Sequence, residues 1–398
     1  MFRAIRSEEE GRKELRKIGV HEDAIEIMLP KLFHSNIKLK SVSPQDAIIL
    51  KQELLALGGD VAISAKALPP YAEETNALLI GSEKQVKKLA EKLKRQYSRL
   101  KNIGEGIIQI MNNLEKMLEM KIGNKNFEFG KRTYIMGILN VTPDSYFDGG
   151  KYFEFEKAVE RAKQMEKEGA DIIDVGGEST RPFSEPVDEK EEMRRVLPVI
   201  EEIKSEIKIP ISIDTYKPKV AEKAIENGAD MVNDIFALRN EGMAEVVKEY
   251  DVPVCIMHMK GIPKNMQVKP YYDDVVEEIF YFLKERIEFA ISRGIDENKI
   301  IIDPGIGFGK RTGKGIEDNC EIISRLYELK SLGKPILVGI SRKTFIGNIL
   351  QAGVEERLEG SLGAEAIAIA NGANIIRCHD ILATKRMATV VDEVVGKR

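Results

Sequence analysis

Short apolar runs alternate with helical stretches from about residue 133 to the end of the chain. Each run, several of them rich in β-branched residues, is followed by a polar turn and then by apolar positions at helical spacing. The eight runs cover residues 134–139, 172–175, 210–213, 231–232, 253–257, 300–302, 336–340 and 375–376. Continuous apolar strands between helices are typical of a parallel sheet that is covered on both faces. Eight units of this kind predict an α/β fold, a closed (β/α)8 TIM barrel, with its site at the carboxyl ends of the strands.

A doubly wound open sheet is the alternative arrangement of such units. That fold carries a glycine-rich phosphate-binding turn after its first strand. This chain instead reads NVTPDSYFDGG after its first apolar run. We therefore favour the barrel.

The first 125 residues follow a mixed pattern. Candidate strands cover residues 2–6, 37–42, 61–67 and 77–82, and helical spacing covers residues 7–19, 21–32, 43–59 and 82–100. We expect a small α/β domain over residues 1–125 that ends in a connecting helix. This helix should run to about Met120, with a bend or break at Gly104 and Gly106. A short hairpin over 126–137 should then lead into the barrel domain, residues 126–398.

The composition limits the classes of function. A chain of 398 residues, 43% hydrophobic and 32% charged, fits a barrel of about 250 residues and a second domain. A net charge of −4 does not favour nucleic-acid binding, and no apolar run is long enough for a membrane span. The amino terminus lacks the apolar stretch of a signal peptide. Three scattered cysteines predict a reduced, cytoplasmic protein without a disulfide framework or a zinc site.

Polar residues follow every apolar run of the predicted barrel. Any one of them is as well explained as a helix N-cap, but acids, amides and cations after all eight runs favour a single site. Carboxylates and amides suit a flat heterocycle with several hydrogen-bonding groups, and cationic side chains suit a pyrophosphate. Mg²⁺ held mostly by that pyrophosphate needs only one or two protein oxygens. The acids and amides are Asp174, Asp214, Asn233 and Asp303; the cationic group is Arg181, Lys343, Arg377 and His379.

Eight sequence blocks resemble the dihydropteroate synthase family, in order and in spacing. MGILNVTPDSYFDGG and DVGGESTRP are similar to the first two signatures of that family. The later blocks are IDT, VNDI, MHMKGIPKNMQ, DPGIGFGK, SRKTFIG and IRCHD. The resemblance covers about residues 133–398. It implies that the chain condenses 6-hydroxymethyl-7,8-dihydropterin pyrophosphate with 4-aminobenzoate to give 7,8-dihydropteroate and pyrophosphate in folate biosynthesis.

The resemblance also implies a role for each matching residue. The pterin ring is expected to pair with Asp214, Asn233, Asp303 and Lys343, supported by Asp174 and Met257, under Arg377. The pyrophosphate is expected to contact Asn140, Arg181, Arg377 and His379, with Mg²⁺ near Asn140. The arylamine is expected between Thr180, Pro182 and Phe308, with its carboxylate facing Thr344, where the family has serine. A homodimer is implied as well.

Three other readings stay open. A pterin-binding methyltransferase module would also use a barrel, although the SRK and RCH blocks argue against it. The same chemistry could use a modified arylamine, as in a methanopterin-type pathway, because threonine replaces serine at Thr344. The first 125 residues could form an oligomerisation or docking module without chemistry of their own.

Overall fold

The structure, a computed structural model, describes residues 8–67, 73–141, 151–178, 186–262, 266–313, 315 and 317–397. The predicted strand over 2–6 lies outside this range. The chain forms two compact units, Met1–Glu115 and Lys116–Arg398. No helix among the described residues is long and apolar enough to cross a membrane.

The first unit is a small three-stranded sheet with helices. Its antiparallel strands have the order β1-β3-β2, and they pack with the helices around a core that includes Leu50, Leu79 and Leu89. The side chain of Ser43 accepts a hydrogen bond from Asp46 N at 3.1 Å and caps α3. The elements are α1 Glu8–Ile18, α2 Glu22–Met28, β1 His34–Val42, α3 Pro44–Ala56, β2 Asp60–Ile63, β3 Thr75–Ser82, α4 Glu83–Leu93 and α5 Ser98–Glu115.

The predicted connecting helix is wrong in two respects. Helical spacing over 82–100 belongs to two helices, because α4 ends at Leu93 and α5 begins at Ser98. Gly104 does not break α5. It lets α5 pack closely on α4, since a Cβ at this position would lie 2.7 Å from Ala90 O. The helix also ends at Glu115, so Met120 lies in a strand.

A hairpin precedes the barrel, but it lies upstream of the predicted one. Strands β4 (Leu118–Ile122) and β5 (Lys125–Phe129) pair antiparallel, and Tyr134 already begins the first barrel strand. Side chains of the hairpin pack on side chains from seven of the eight barrel strands. These twelve buried residues, the apolar layer, are Met120, Ile122, Phe127, Phe129, Tyr134, Met136, Ile172, Met231, Cys255, Ile301, Leu337 and Ile375. The hairpin therefore belongs to the second unit, and the units divide after Glu115 rather than after residue 125.

The second unit is the predicted barrel. Its eight parallel strands are ordered β11-β10-β9-β8-β7-β6-β13-β12, and a bridge between Ile302 and Ile336 joins the two ends of this order. Strand β12 has only two residues, where the sequence predicted five. The strands are β6 Tyr134–Asn140, β7 Ile172–Gly176, β8 Ile211–Asp214, β9 Met231–Asp234, β10 Val254–Met257, β11 Ile300–Asp303, β12 Leu337–Val338 and β13 Ile375–Cys378.

Helices cover the outside of the barrel and bury the outward side chains of its strands. Outward residues such as Ile173, Val232 and Cys378 share one large core with the helices. The inward residues form the apolar layer at the amino ends of the strands and polar groups at the carboxyl ends. The helices are α6 Lys151–Glu168, α7 Glu189–Glu206, α8 Pro218–Glu226, α9 Met243–Glu249, α10 Val275–Ser292, α11 Asp318–Ser324, α12 Thr344–Leu350, α13 Leu358–Ala370 and α14 Ile381–Val394.

Candidate active site

Five polar side chains lie at the carboxyl ends of five barrel strands and form what we call the polar layer. Its members are Asp174 on β7, Asp214 on β8, Asn233 on β9, Asp303 on β11 and Arg377 on β13. Side chains of parallel strands that end at one rim of a barrel face its axis together, which brings residues that are distant in sequence into contact. The sequence prediction that these residues converge is therefore met in the structure.

Arg377 is the centre of the polar layer. Its Nε donates to Asp174 Oδ2 at 2.6 Å, and its Nη2 donates to Asp214 Oδ2 at 2.7 Å. Asn233 Nδ2 donates to the same Asp174 oxygen at 3.0 Å. Since one guanidinium binds two carboxylates, Arg377, Asp174 and Asp214 together carry one excess negative charge when both acids are ionised. This arrangement suits a ligand that brings hydrogen-bond donors.

Two carboxylate oxygens in the polar layer have no hydrogen-bond partner among the described residues. Asp174 Oδ1 and Asp214 Oδ1 are buried without a hydrogen bond, as is the hydroxyl of Ser212 on β8. Unpaired buried acceptors cost free energy until a donor reaches them. Burial raises the pKa of Asp214 to about 7, against the opposing effect of Arg377. Burial also raises the pKa of Asp303 to about 6.

Lys343 and Phe308 form the next part of the site. Lys343 Nζ lies 4.2 Å from the centre of the Phe308 ring, a cation–π distance. Burial lowers the pKa of this lysine to about 8, opposed by Asp303. Phe308 packs on an apolar cluster that contains Met257, a predicted pocket residue. A flat ring could therefore rest between apolar side chains and still reach charged groups.

His379 lies beside the Arg377 strand end. Its Nδ1 is 3.0 Å from the hydroxyl of Ser341, and its backbone N–H donates to the same hydroxyl. Burial, and then the positive charge of Arg377, lower the pKa of His379 to about 4. The prediction of a cationic histidine therefore does not hold for the free protein, where the imidazole is neutral at pH 7. It can still donate a hydrogen bond to an anion.

Of the remaining predicted site residues, the structure describes two and leaves three outside its described ranges. Asn140 ends β6 and is exposed, whereas Thr344 begins α12 and is also exposed. Thr180, Arg181 and Pro182 lie outside the described residues.

A buried charge cluster flanks that last segment and was not predicted. Lys217 Nζ bonds to Glu178, to Glu192 and, at 2.6 Å, to Val187 O. Tyr216 Oη also donates to Glu178, at 2.8 Å. Glu178 lies within the DVGGESTRP block, and Lys217 could have been found only as a lysine beside the IDT block. The cluster ties the residues on both sides of 179–185 to the turn after β8.

Lys310 is a second residue whose role the sequence did not reveal. It is the last residue of the DPGIGFGK block and was assigned no role, and it is 1% exposed. Its Nζ lies 3.0 Å from His258 Nδ1. His258, in the MHMKGIPKNMQ block, is 5% exposed and packs edge-on against Phe282. It is therefore a core histidine.

Comparisons with known proteins agree with this geometry. Residues 136–379 match the family of pterin binding enzymes. The dihydropteroate synthase of Clostridium beijerinckii is 49% identical over 280 residues, which is 70% of this chain and 100% of that protein. A solved structure of Xanthomonas albilineans dihydropteroate synthase with 4-aminobenzoic acid is 42% identical, with a TM-score of 0.65 over 70% of this chain and 98% of that one.

One relative extends beyond the barrel. A probable bifunctional folylpolyglutamate synthase/dihydropteroate synthase of Halobacterium salinarum is 37% identical over 378 residues. That alignment covers 95% of this chain and 45% of the relative, so it includes most of the first unit. Together with the barrel and its polar layer, these matches place the chain in the pterin-binding enzyme family as a dihydropteroate synthase, a transferase of folate biosynthesis.

Proposed function

We propose that the polar layer binds the pterin ring of 6-hydroxymethyl-7,8-dihydropterin pyrophosphate and that the chain joins it to 4-aminobenzoate. The observation that carries this proposal is the pair of unpaired oxygens, Asp174 Oδ1 and Asp214 Oδ1, beside Arg377. A pterin presents amino and ring N–H donors along one edge, which suit these acceptors. Asn233 and Lys343 add donors for its ring nitrogens and carbonyl. A ring without these groups would leave the acceptors unpaired, and this gives specificity.

The cationic side of the site faces the leaving group. We propose that Arg377, Arg181, His379 and Asn140 contact the pyrophosphate and stabilise the charge that develops as the C–O bond breaks. The pterin nitrogens share the positive charge left on the methylene carbon. The arylamine nitrogen then attacks with its free lone pair and loses one proton to pyrophosphate or water. No strong general base is needed, and the neutral His379 can serve as a hydrogen-bond donor.

Mg²⁺ is proposed as the cofactor, held mainly by the pyrophosphate. No group of three or more His, Cys, Asp or Glu side chains within the described ranges could hold a metal. Two oxygens flank Gly176: a Cβ built on this glycine would be 3.7 Å from Asp214 Oδ2 and 3.9 Å from Asn140 Oδ1. Asn140 is the proposed protein ligand, because it is exposed at the carboxyl end of β6 and its side chain carries an amide oxygen. When bound, the ion would neutralise negative charge on the leaving group.

The acceptor is proposed to lie against Phe308, with Thr180 and Pro182 beside it. The Xanthomonas structure with 4-aminobenzoic acid supports this acceptor class. Thr344 would face the carboxylate and keeps the hydroxyl of the serine expected there. Because Thr344 is exposed, a larger arylamine remains the second candidate.

Assembly and location are proposals of a coarser kind. We propose a cytoplasmic homodimer, supported by exposed apolar side chains on neighbouring helices α12 and α13, among them Ile349 and Ile367. The first unit is proposed to act in docking or assembly. Light scattering of the full chain and of a variant without residues 1–115 would test the homodimer and the role of the first unit in assembly. A monomeric full chain would refute the dimer.

Condensation by the purified protein tests the function. The full chain is incubated with Mg²⁺, the dihydropterin pyrophosphate and 4-aminobenzoate, and both products are followed. Equal amounts of pyrophosphate and 7,8-dihydropteroate are expected. Pyrophosphate without dihydropteroate would move the proposal to a different arylamine. Neither product, from a folded protein that binds the pterin, would overturn it.

A further inference from the structure

The loop after β11 is held by side chains rather than by regular secondary structure. Lys310 Nζ donates to Gly305 O and to Phe308 O, both at 2.9 Å. Gln267 donates to Gly307 O at 2.7 Å, and Tyr272 donates to Gly309 O at 2.6 Å. Each of these four carbonyls accepts a bond from a side chain, which fixes a backbone that would otherwise have several conformations. Lys310 supplies two of the four bonds.

Lys310 also joins this loop to the neighbouring strand end. His258 follows β10, and its Nδ1 lies 3.0 Å from Lys310 Nζ as a third hydrogen-bond partner. The two backbones touch at this point, since a Cβ on Gly305 would lie only 1.9 Å from His258 O. Gly305 has a φ of +69° and can therefore make this approach. The ammonium of Lys310 therefore links the segment after β10 to the loop after β11, and the ends of both strands carry site residues. We call this link the junction.

Lys310 has no carboxylate partner at hydrogen-bond distance within the part of the chain that the structure describes. Its three bonds go to two carbonyls and one imidazole, all neutral. A buried ammonium held only by neutral groups is expensive, and burial lowers the pKa of Lys310 to about 7. Burial raises the pKa of Asp303, and the positive charges of Lys343, Arg377 and Lys310 oppose this rise. Asp318, Lys260 and Lys343 are the other charges that act on Lys310.

We propose that Lys310 is a positioning residue for the pterin end of the reaction. Through the loop it holds Gly305 N on Asp303 Oδ1, at 2.7 Å, and Phe308 over Lys343. Through its charge it keeps the carboxyl of Asp303 ionised as an acceptor for the pterin. Lys310 itself does not contact the substrate. This inference rests on the proposed function, because it assumes that Asp303 binds the pterin.

The test compares Lys310→Met with two matched variants. Lys334→Met removes a buried lysine that donates to Glu297 O. Lys334 lies near the amino end of β12, whereas the site lies at the carboxyl ends of the strands. Tyr272→Phe removes a neutral tether from the same loop. Dihydropterin binding is measured across pH 5–9 for each variant, together with kcat and KM for both substrates. The wild-type condensation is measured alongside, so that failure of the proposed function is seen separately.

Lys310→Met is expected to weaken dihydropterin binding by about 10- to 100-fold, since three buried acceptors lose their donor. It should also shift the acid limb of the binding profile to higher pH, because Asp303 loses a positive neighbour. Tyr272→Phe should weaken binding less and leave the limb in place, and Lys334→Met should change neither quantity. Binding by Lys310→Met within about threefold of wild type, or a loss without a shift of the limb, would overturn the proposal. A threefold change is smaller than the loss expected for one hydrogen bond to a charged group.

A second pair guards against misfolding of Lys310→Met. His258→Asn keeps an acceptor close to the position of Nδ1, whereas His258→Leu removes it. Binding should be retained in the first and lowered in the second. Equal binding in both would contradict the role of the junction.

Discussion

The two ends of the barrel interior are built from the same strands and differ completely in chemistry. At the amino ends lies the apolar layer, whose twelve buried residues come from the barrel strands and from the β4–β5 hairpin. At the carboxyl ends, the same strands carry three carboxyls, an amide and a guanidinium. The buried unpaired oxygens of Asp174, Ser212 and Asp214 all lie on the polar side, and none belongs to the apolar layer. One end therefore stabilises the fold, while the other sacrifices stability to bind a polar ligand.

The largest effect is expected at the centre of the polar layer. Arg377→Met removes the only guanidinium bonded to Asp174 and Asp214 among the described residues. Breaking a buried ion pair from one side costs about 3–5 kcal/mol, and the pyrophosphate loses a contact as well. Activity should fall by about 1,000-fold or more, and the free energy of unfolding should decrease, as measured by steady-state kinetics and denaturant titration. Arg194→Met on the surface of α7 is the control, and equal losses in both would refute the assignment.

The apolar layer should respond in stability alone. Phe129→Ala opens a cavity among Phe127, Tyr134 and their neighbours, and such changes cost about 3–5 kcal/mol. Because this layer lies at the other end of the strands, kcat of the folded fraction should stay within about twofold of wild type. Chemical denaturation and kinetics at low temperature measure the two quantities. A large fall in kcat at full folding would break the comparison.

The raised carboxyl pKa values predict opposite pH trends for stability and for binding. Asp303 and Asp214 have pKa values of about 6 and about 7 in the fold, against an ordinary value of 3.8. The folded protein therefore holds protons that the unfolded chain releases, and stability from these groups is lost as pH rises from about 4 to 7. Dihydropterin affinity should instead fall as pH drops, by up to tenfold per unit, below about 7 for Asp214 and below about 6 for Asp303.

Asp303→Asn sharpens this test. Asparagine can still accept from Gly305 N, so the loop should persist while the titrating group is lost. Calorimetric titrations from pH 5 to 8 should show weaker binding and a flatter profile than wild type. A profile with an unchanged slope would assign the pH dependence to another group.

The smallest effect is expected at the exposed rim. Thr344→Ser removes one methyl group from a side chain that faces solvent and keeps its hydroxyl. The KM for 4-aminobenzoate should change by less than about fourfold, since one buried methylene is worth about 0.8 kcal/mol. A much larger improvement for 4-aminobenzoate would favour a modified arylamine as the natural acceptor.

The sequence predicted the barrel well because strand and helix periods are local properties. It also predicted which residues lie at the carboxyl ends, since each follows its strand directly. It did not predict their partners: Arg377 and Asp174 are 203 residues apart, and only the closed barrel brings them together. The same holds for Lys310, whose contacts with His258 depend on how two loops meet.

The errors near the amino terminus have similar physical causes. The turn between Leu93 and Ser98 contains neither glycine nor proline, so helical spacing alone could not reveal it. Gly104 was taken for a helix breaker, but it serves a close helix contact that only the fold shows. The hairpin was misplaced because the connecting helix was extended to about Met120, over residues that form the first hairpin strand, Leu118–Ile122.

Dihydropterin binding by three proteins tests the central claim most directly. Wild type, Arg377→Met and Phe129→Ala are titrated with 6-hydroxymethyl-7,8-dihydropterin pyrophosphate in a calorimeter, at a temperature where all three are folded. We expect tight binding by wild type and by Phe129→Ala, and no measurable binding by Arg377→Met. Equal binding by all three, or an equal loss in both variants, would contradict the division of the barrel into a stabilising end and a binding end.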